Sequence, residues 1–120
     1  MTTTLTETDL KQFTGTELWH RHGLMRNVLY TDGARHVAEA GGAYWLLDEI
    51  VLAQMFIETV AAEPFQVWKL AVCTDSSATL TCEDGNGNEV LRKAIPFTDF
   101  PLKEITLWLT DSTILLPSEY

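Results

Sequence analysis

At 120 residues, with 46% apolar side chains and a formal charge of −9, the chain is long enough to bury a core without disulfides or metal. So acidic a balance argues against direct nucleic-acid binding, which draws its free energy from Lys and Arg displacing counterions, and it allows a surface that competes for another protein's basic groove. The same charge also serves solubility. The opening MTTTLTETDLKQF lacks a basic n-region, an apolar h-region and a small-residue cleavage site, and no apolar run reaches membrane length. A cytoplasmic protein is therefore expected, one domain over residues 1–120, with reduced cysteines and no membrane contact.

Thr6 followed by Glu7, Thr8 and Asp9 reads as an N-cap with acids in the first turn of a short helix that ends at Gly15. Leu24 to Tyr30 is a β-capable run closed by Thr31-Asp32-Gly33. Thr31 or Asp32 caps a second helix running to about Ala40, with Gly41 as its stop. The longest helix is predicted from Ala43 to about Ala62, between Gly42 and Pro64. At about 100° per residue, Leu46, Ile50, Ala53, Ile57 and Val60 fall on one arc and form a core stripe. Trp45, Leu52, Met55 and Phe56 point elsewhere, among Asp48, Glu49 and Thr59. That is more apolar surface than one sheet face covers, so either the segment from Phe13 to Tyr30 or a partner must shield the second flank.

After Pro64 the period changes to two, over Phe65–Thr74, Ala78–Glu83, Glu89–Phe97, Ile105–Thr110 and Ile114–Leu116. The predicted fold is α+β: N-terminal helices, one of them long and central, packed on an antiparallel meander of four to five strands. Asn86-Gly87 is a type I′ hairpin signal. A three-residue loop at Ser76 to Ala78 pairs Val72 with Cys82 and places Trp68, Leu70 and Val72 on the face of Leu80 and Cys82. The next hairpin brings Leu91 beside Cys82, with Ile95 and Phe97 on the same side. A two-residue loop would set Cys73 opposite Cys82 but would face Trp68, Leu70 and Val72 toward Thr79, Thr81 and Glu83. The first register leaves Cys82 in the core, Cys73 on the outer face and no disulfide.

His20-Arg21-His22 is the nearest thing to a metal motif, since on a strand the two imidazoles share a face. Zinc needs further ligands, and His36, Glu39, Asp48 and Glu49 match no known spacing, so no metal and no cofactor is assigned. The histidines are expected to hydrogen-bond within an aromatic cluster around Trp19, Tyr30, Tyr44 and Trp45. Asp48 and Glu49 diverge on a helix and cannot act as a close acid/base dyad. Asp48 can pair with Arg21, Arg26, Arg35 or a basic partner. The serines lack a strand-elbow-helix context, Gly41-Gly42 lacks the Lys-Ser/Thr of a phosphate loop, and Glu83 to Asn88 reads as a hairpin turn rather than a calcium loop. No catalytic residue is assigned.

In FTGTELWHRH (Phe13–His22), YTDG (Tyr30–Gly33), GGAYWLLDEI (Gly41–Ile50), FQVWKL (Phe65–Leu70), LTCEDGNG (Leu80–Gly87), FTDFPL (Phe97–Leu102) and ILLPSEY (Ile114–Tyr120), the chain resembles a family of small bacterial proteins that carries only a domain-of-unknown-function label. The resemblance spans nearly the whole chain and implies a setting on phage, plasmids and other mobile DNA, where short proteins often bind and block host machinery.

The favoured expectation is a non-enzymatic acidic interaction protein, an anti-CRISPR-like inhibitor of a host nucleic-acid-handling or defence complex. Its candidate partner-binding residues are Trp45, Asp48, Glu49, Leu52, Met55 and Phe56, aromatic and apolar anchors with acidic neighbours that steer association. The alternative is a small enzyme or a ligand- or metal-binding domain built on Trp19, His20, His22, Tyr44 and Asp48. A homodimer closed through the second flank of the long helix is compatible with both.

Overall fold

The structure, a computed structural model, describes residues 5–11, 19–23 and 28–120. Its helices are α1 (Glu7–Lys11), α2 (Asp32–Ala40), α3 (Tyr44–Phe56) and α4 (Glu58–Ala61). The strands are β1 (Trp19–Arg21), β2 (Leu29–Thr31), β3 (Phe65–Val72), β4 (Ala78–Asp84), β5 (Glu89–Ile95), β6 (Glu104–Thr110) and β7 (Thr113–Leu115), and a 3-10 turn spans Pro117–Glu119. The predicted stop of the first helix, at Gly15, lies outside the described residues, as do Leu24 to Asn27. Among the described residues no helix is long and apolar enough to cross a membrane.

The α+β class holds, but the described strands join one seven-stranded sheet of order β1-β2-β7-β6-β3-β4-β5 rather than a meander of four to five. β2 runs parallel to β7, so the sheet is mixed. β6 does not follow β5 at the edge; it crosses to the far side of β3. Both flanks of β3 are thereby paired, as suits the strand that buries Gln66, Trp68 and Leu70. Ile105, Leu107 and Leu109 of β6 then join Trp68, Leu70, Leu80 and Cys82 on the helix-covered side.

The face assignments survive a shift in the loop. Val72 pairs with Ala78, Leu70 with Leu80 and Trp68 with Cys82, not Val72 with Cys82. The Cys73 amide donates to the Ser77 carbonyl, and Ser76 has φ +68°, so the three-residue loop is Thr74 to Ser76. Because that displacement is even, every side chain keeps its side of the sheet. Cys82 is buried, Cys73 is exposed and both are free thiols. Leu91 lies opposite Cys82 as expected, helped by a bulge between Cys82 and Glu83. Ile95 is buried, but Phe97 lies beyond β5 and is 70% exposed.

Asn86-Gly87 is not a type I′ turn: Gly87 has φ +86° while Asn86 stays on the negative side. Asp84 and Asn88 close a loop with the left-handed residue last, as in the preceding hairpin. Asp111 and Ser112, with φ +50° and +56°, form the two-residue turn with both central residues left-handed, between the β6 and β7 partners Thr110 and Thr113.

Thr31 caps α2 by accepting from the Ala34 amide at 3.2 Å. The long predicted helix is interrupted at Ile57, which is extended (φ −120°, ψ 100°) and separates α3 from α4. The buried Gln66 side chain holds this break together. Its amide nitrogen donates to the Val60 carbonyl and to Gln54 Oε1, each at 2.8 Å, while its oxygen accepts from Gln54 Nε2 and from the Trp68 indole. Leu46, Ile50, Ala53 and Val60 of the predicted stripe are buried, and Ile57 is partly so.

Candidate functional site

His20 and His22 lie on one side of the sheet, as alternation requires, and each has its own aspartate rather than a shared ligand. His20 Nε2 is 2.9 Å from Asp32 at the start of α2, and His22 Nε2 is 2.8 Å from Asp48 in α3. A carboxylate only accepts, so each of these nitrogens carries the proton. The Tyr30 ring stacks on His20 at 5.3 Å and meets His22 edge-on at 6.5 Å. Among the described residues no group of three His, Cys, Asp or Glu is placed to hold a metal ion.

An open hollow of about 330 Å³ lies against this pair of contacts, lined by His22, Gly23, Tyr30, Tyr44, Leu47 and Asp48. The His22 side chain is 8% exposed and that of Asp48 50%. At the rim, Tyr44 and Arg35 both donate to Glu39 Oε1 at 3.1 Å. Those two bonds hold the Glu39 carboxyl below its ordinary range. Tyr44 is pushed up, first by burial and then by its bond to Glu39. Trp19 does not join the cluster: it pairs with Thr31 in β1, on the other side of the sheet from His20, and is 53% exposed. Trp45 is absent from the hollow as well; it packs half-buried against the core and lines a separate depression beside the 93–99 segment.

The six candidate partner-binding residues also divide. Asp48 is engaged by His22, Arg26 lying outside the described residues, and both oxygens of Glu49 lie 2.8 Å from the Lys93 ammonium on β5. Leu52, Met55 and Phe56 are 37%, 44% and 74% exposed. Next to them is a mainly apolar groove of about 310 Å³ whose walls include Leu52, Phe56, Ile57, Leu80 and Leu91, with Arg92 and Lys93 ion-paired to Glu89 and Glu49. Ile57 explains the strong exposure of Phe56: the helix stops there, and its last aromatic projects beyond the packed layer.

Sequence reasoning missed a third feature, Glu119. Its carboxylate, 8% exposed, accepts from Thr31 Oγ1 at 2.6 Å, the Gly33 amide at 3.2 Å and the Leu116 amide at 2.9 Å. A Cβ at Gly33 would lie 2.6 Å from Glu119 Cδ, so the glycine makes room for the acid. The only sequence hint was a glycine directly behind a helix cap. A buried acid this fully bonded at the start of α2 ties the last turn of the chain to the sheet and has no open side for a ligand.

A family described as a family of unknown function, DUF6876, matches residues 4–120. The chain belongs to that family. No curated protein and no solved structure matches it. Family membership thus accounts for residues 4–120 and leaves the function to be argued from the geometry.

Proposed function

We propose that this member of the family is a non-enzymatic acidic interaction protein that docks onto a basic, nucleic-acid-binding protein through the end of α3 and inhibits it, in the manner of an anti-CRISPR. The observation that carries the reading is the cluster Leu52, Met55 and Phe56, exposed together at one helix end beside an apolar groove. Exposed aromatic and methionine side chains are the usual anchors of an interface, whereas lone exposed apolar residues are unremarkable. The formal charge of −9 and the exposed Glu58 next to the cluster favour a partner that presents an apolar side chain among basic groups. Asp48 and Glu49 have internal partners, which limits the proposed anchor to the three apolar residues.

The test begins with affinity capture from the native host and identification of the captured protein, followed by titration of that purified protein at low and high salt against wild type and Phe56→Ser. The reading requires a basic nucleic-acid-binding partner, affinity that falls steeply with salt, and a loss of about thirtyfold or more on Phe56→Ser. Equal affinity of wild type and Phe56→Ser overturns it, as does a homodimer whose interface buries Phe56.

Three of the five alternative site residues, His22, Tyr44 and Asp48, line one hollow, which supports a second reading, a ligand-binding domain. The imidazole, two tyrosines and carboxylate among its lining residues suit recognition of a ligand.

A further inference from the structure

We infer that the hollow between Tyr30, Tyr44 and Asp48 is a cation subsite that takes an arginine side chain of the basic partner. The inference rests on the docking reading and names the chemistry of a second contact on the same helix. It starts from a charge count around the hollow. Asp32 is matched by His20, and Glu39 by Arg35 and Tyr44. Asp48 is matched only through Oδ1, by an imidazole whose proton it accepts. Among the described residues its other oxygen takes no hydrogen bond, and half of the side chain faces solvent. Half exposed and bonded at one oxygen, that carboxylate can take a further hydrogen bond from a donor in the hollow.

The walls suit a flat cation. Two tyrosine rings and an imidazole edge surround the carboxylate, and an aromatic face attracts a guanidinium or ammonium within about 6 Å. Guanidinium fits best because it can offer an N–H fork to Asp48 while stacking on Tyr44, whereas ammonium is a more strongly hydrated point charge. Among the described residues, Arg21 next to His20 and His22 alternates to the opposite side of β1 and does not line the hollow.

Tyr44, Asp48, Leu52 and Met55 follow one another at helical spacing along the outer side of α3, so the subsite and the apolar anchor lie on one stripe. Asp48 and Met55 are seven residues apart, about 10 Å along the helix axis. The partner should therefore carry its arginine about two helical turns from its apolar anchor.

The probe is N-acetyl-arginine methylamide, titrated into the full chain while the Tyr30 and Tyr44 ring resonances are followed by NMR, with the lysine and citrulline analogues as comparisons. Both rings should shift saturably with the arginine probe, more weakly with lysine and not with citrulline. Asp48→Asn and Tyr44→Leu should each weaken arginine binding at least tenfold, and Phe56→Ser should leave it unchanged. Equal shifts with citrulline, wild-type affinity in Asp48→Asn, or no shift at all overturns the subsite. Should Asp48→Asn fail to fold, Tyr44→Leu and the citrulline comparison decide alone. Loss of the arginine effect with the Phe56 effect intact removes only the subsite. The converse result removes only the apolar docking face.

Discussion

Glu119 and Asp48 are carboxylates held against the same end of the sheet, one by Thr31 of β2 and the other by His22 just beyond β1, yet they are treated in opposite ways. Glu119 is buried and meets Thr31, Gly33 and Leu116 as donors; Asp48 is half exposed and, among the described residues, meets His22. Desolvating a charge is tolerated only when hydrogen bonds replace the lost water, so the first arrangement is a structural tie. The second leaves half the side chain open to solvent, and solvent can be exchanged for a ligand at little cost. Satisfaction and exposure together, rather than residue type, separate the acid that builds the fold from the acid that can serve it.

The largest expected effect tests the buried member. Glu119→Ala strands the Thr31 hydroxyl and two backbone amides and should cost about 3 kcal/mol, read from the shift of the urea midpoint at constant slope. A loss under about 1 kcal/mol would erase the contrast with Asp48. Gly33→Ala attacks the same tie sterically, since its Cβ would lie 2.6 Å from Glu119 Cδ and 2.8 Å from Leu116 Cδ1. It should cost about 1–3 kcal/mol by the same measurement.

Asp48→Asn should change stability by less than about 1 kcal/mol, because the pair it weakens is half in solvent. A loss as large as that of Glu119→Ala would make Asp48 structural. The smallest effect sharpens the comparison by separating donors from burial. Asp84 is held below the ordinary carboxylate range by the Asn88 amide, the Asn88 side chain and the Asn86 amide, but it sits at an exposed turn. A carboxyl lowered by folding contributes stability that is present above its unfolded pKa of about 4 and is lost as pH falls through its folded value. Asp84→Asn should therefore lower the neutral plateau slightly and flatten the profile below pH of about 4, so that variant and wild type converge in acid. An equal loss at every pH would assign the effect to the turn instead of the charge.

How much of this was legible depended on how much chain each feature used. The helix of Asp32 to Ala40 could be read from Thr31 and Gly41, and the faces of β3, β4 and β5 from alternation over seven or eight residues. β1 and β2 are three residues each, too short to display a period, and β2 owes its place to β7, which is distant in sequence. The break at Ile57 was hidden because Thr59 to Ala62 remain compatible with a helix; Gln66, across Pro64, braces it by bonding the Val60 carbonyl of α4 and the Gln54 side chain of α3. At the site, His20 and His22 could be placed on one face from their spacing, and the divergence of Asp48 and Glu49 followed from helical geometry. Their actual partners, His22 and Lys93, lie 26 and 44 residues away and left no local signal. The expected aromatic cluster failed at Trp19 because adjacent strand residues face opposite ways, so Trp19 could not accompany His20.

The parallel junction of β2 with β7 pairs Leu29 with Thr113 and Tyr30 with Ile114, and through it β1 and β2 join the remaining sheet. Strand pairing across so long a loop carries a large closure entropy, so the local hairpins of β3, β4 and β5 should zip first and this seam last. The seam should also be the first to open in native-state hydrogen exchange, with the amides of Leu29 and Tyr30 less protected than those of Trp68 and Leu70. Tyr30 and His22 belong to that late-joining unit, whereas Tyr44 and Asp48 belong to the helix opposite. The walls of the hollow thus come from two cooperative units, and anything bound between them would stabilise the weakest joint in the sheet.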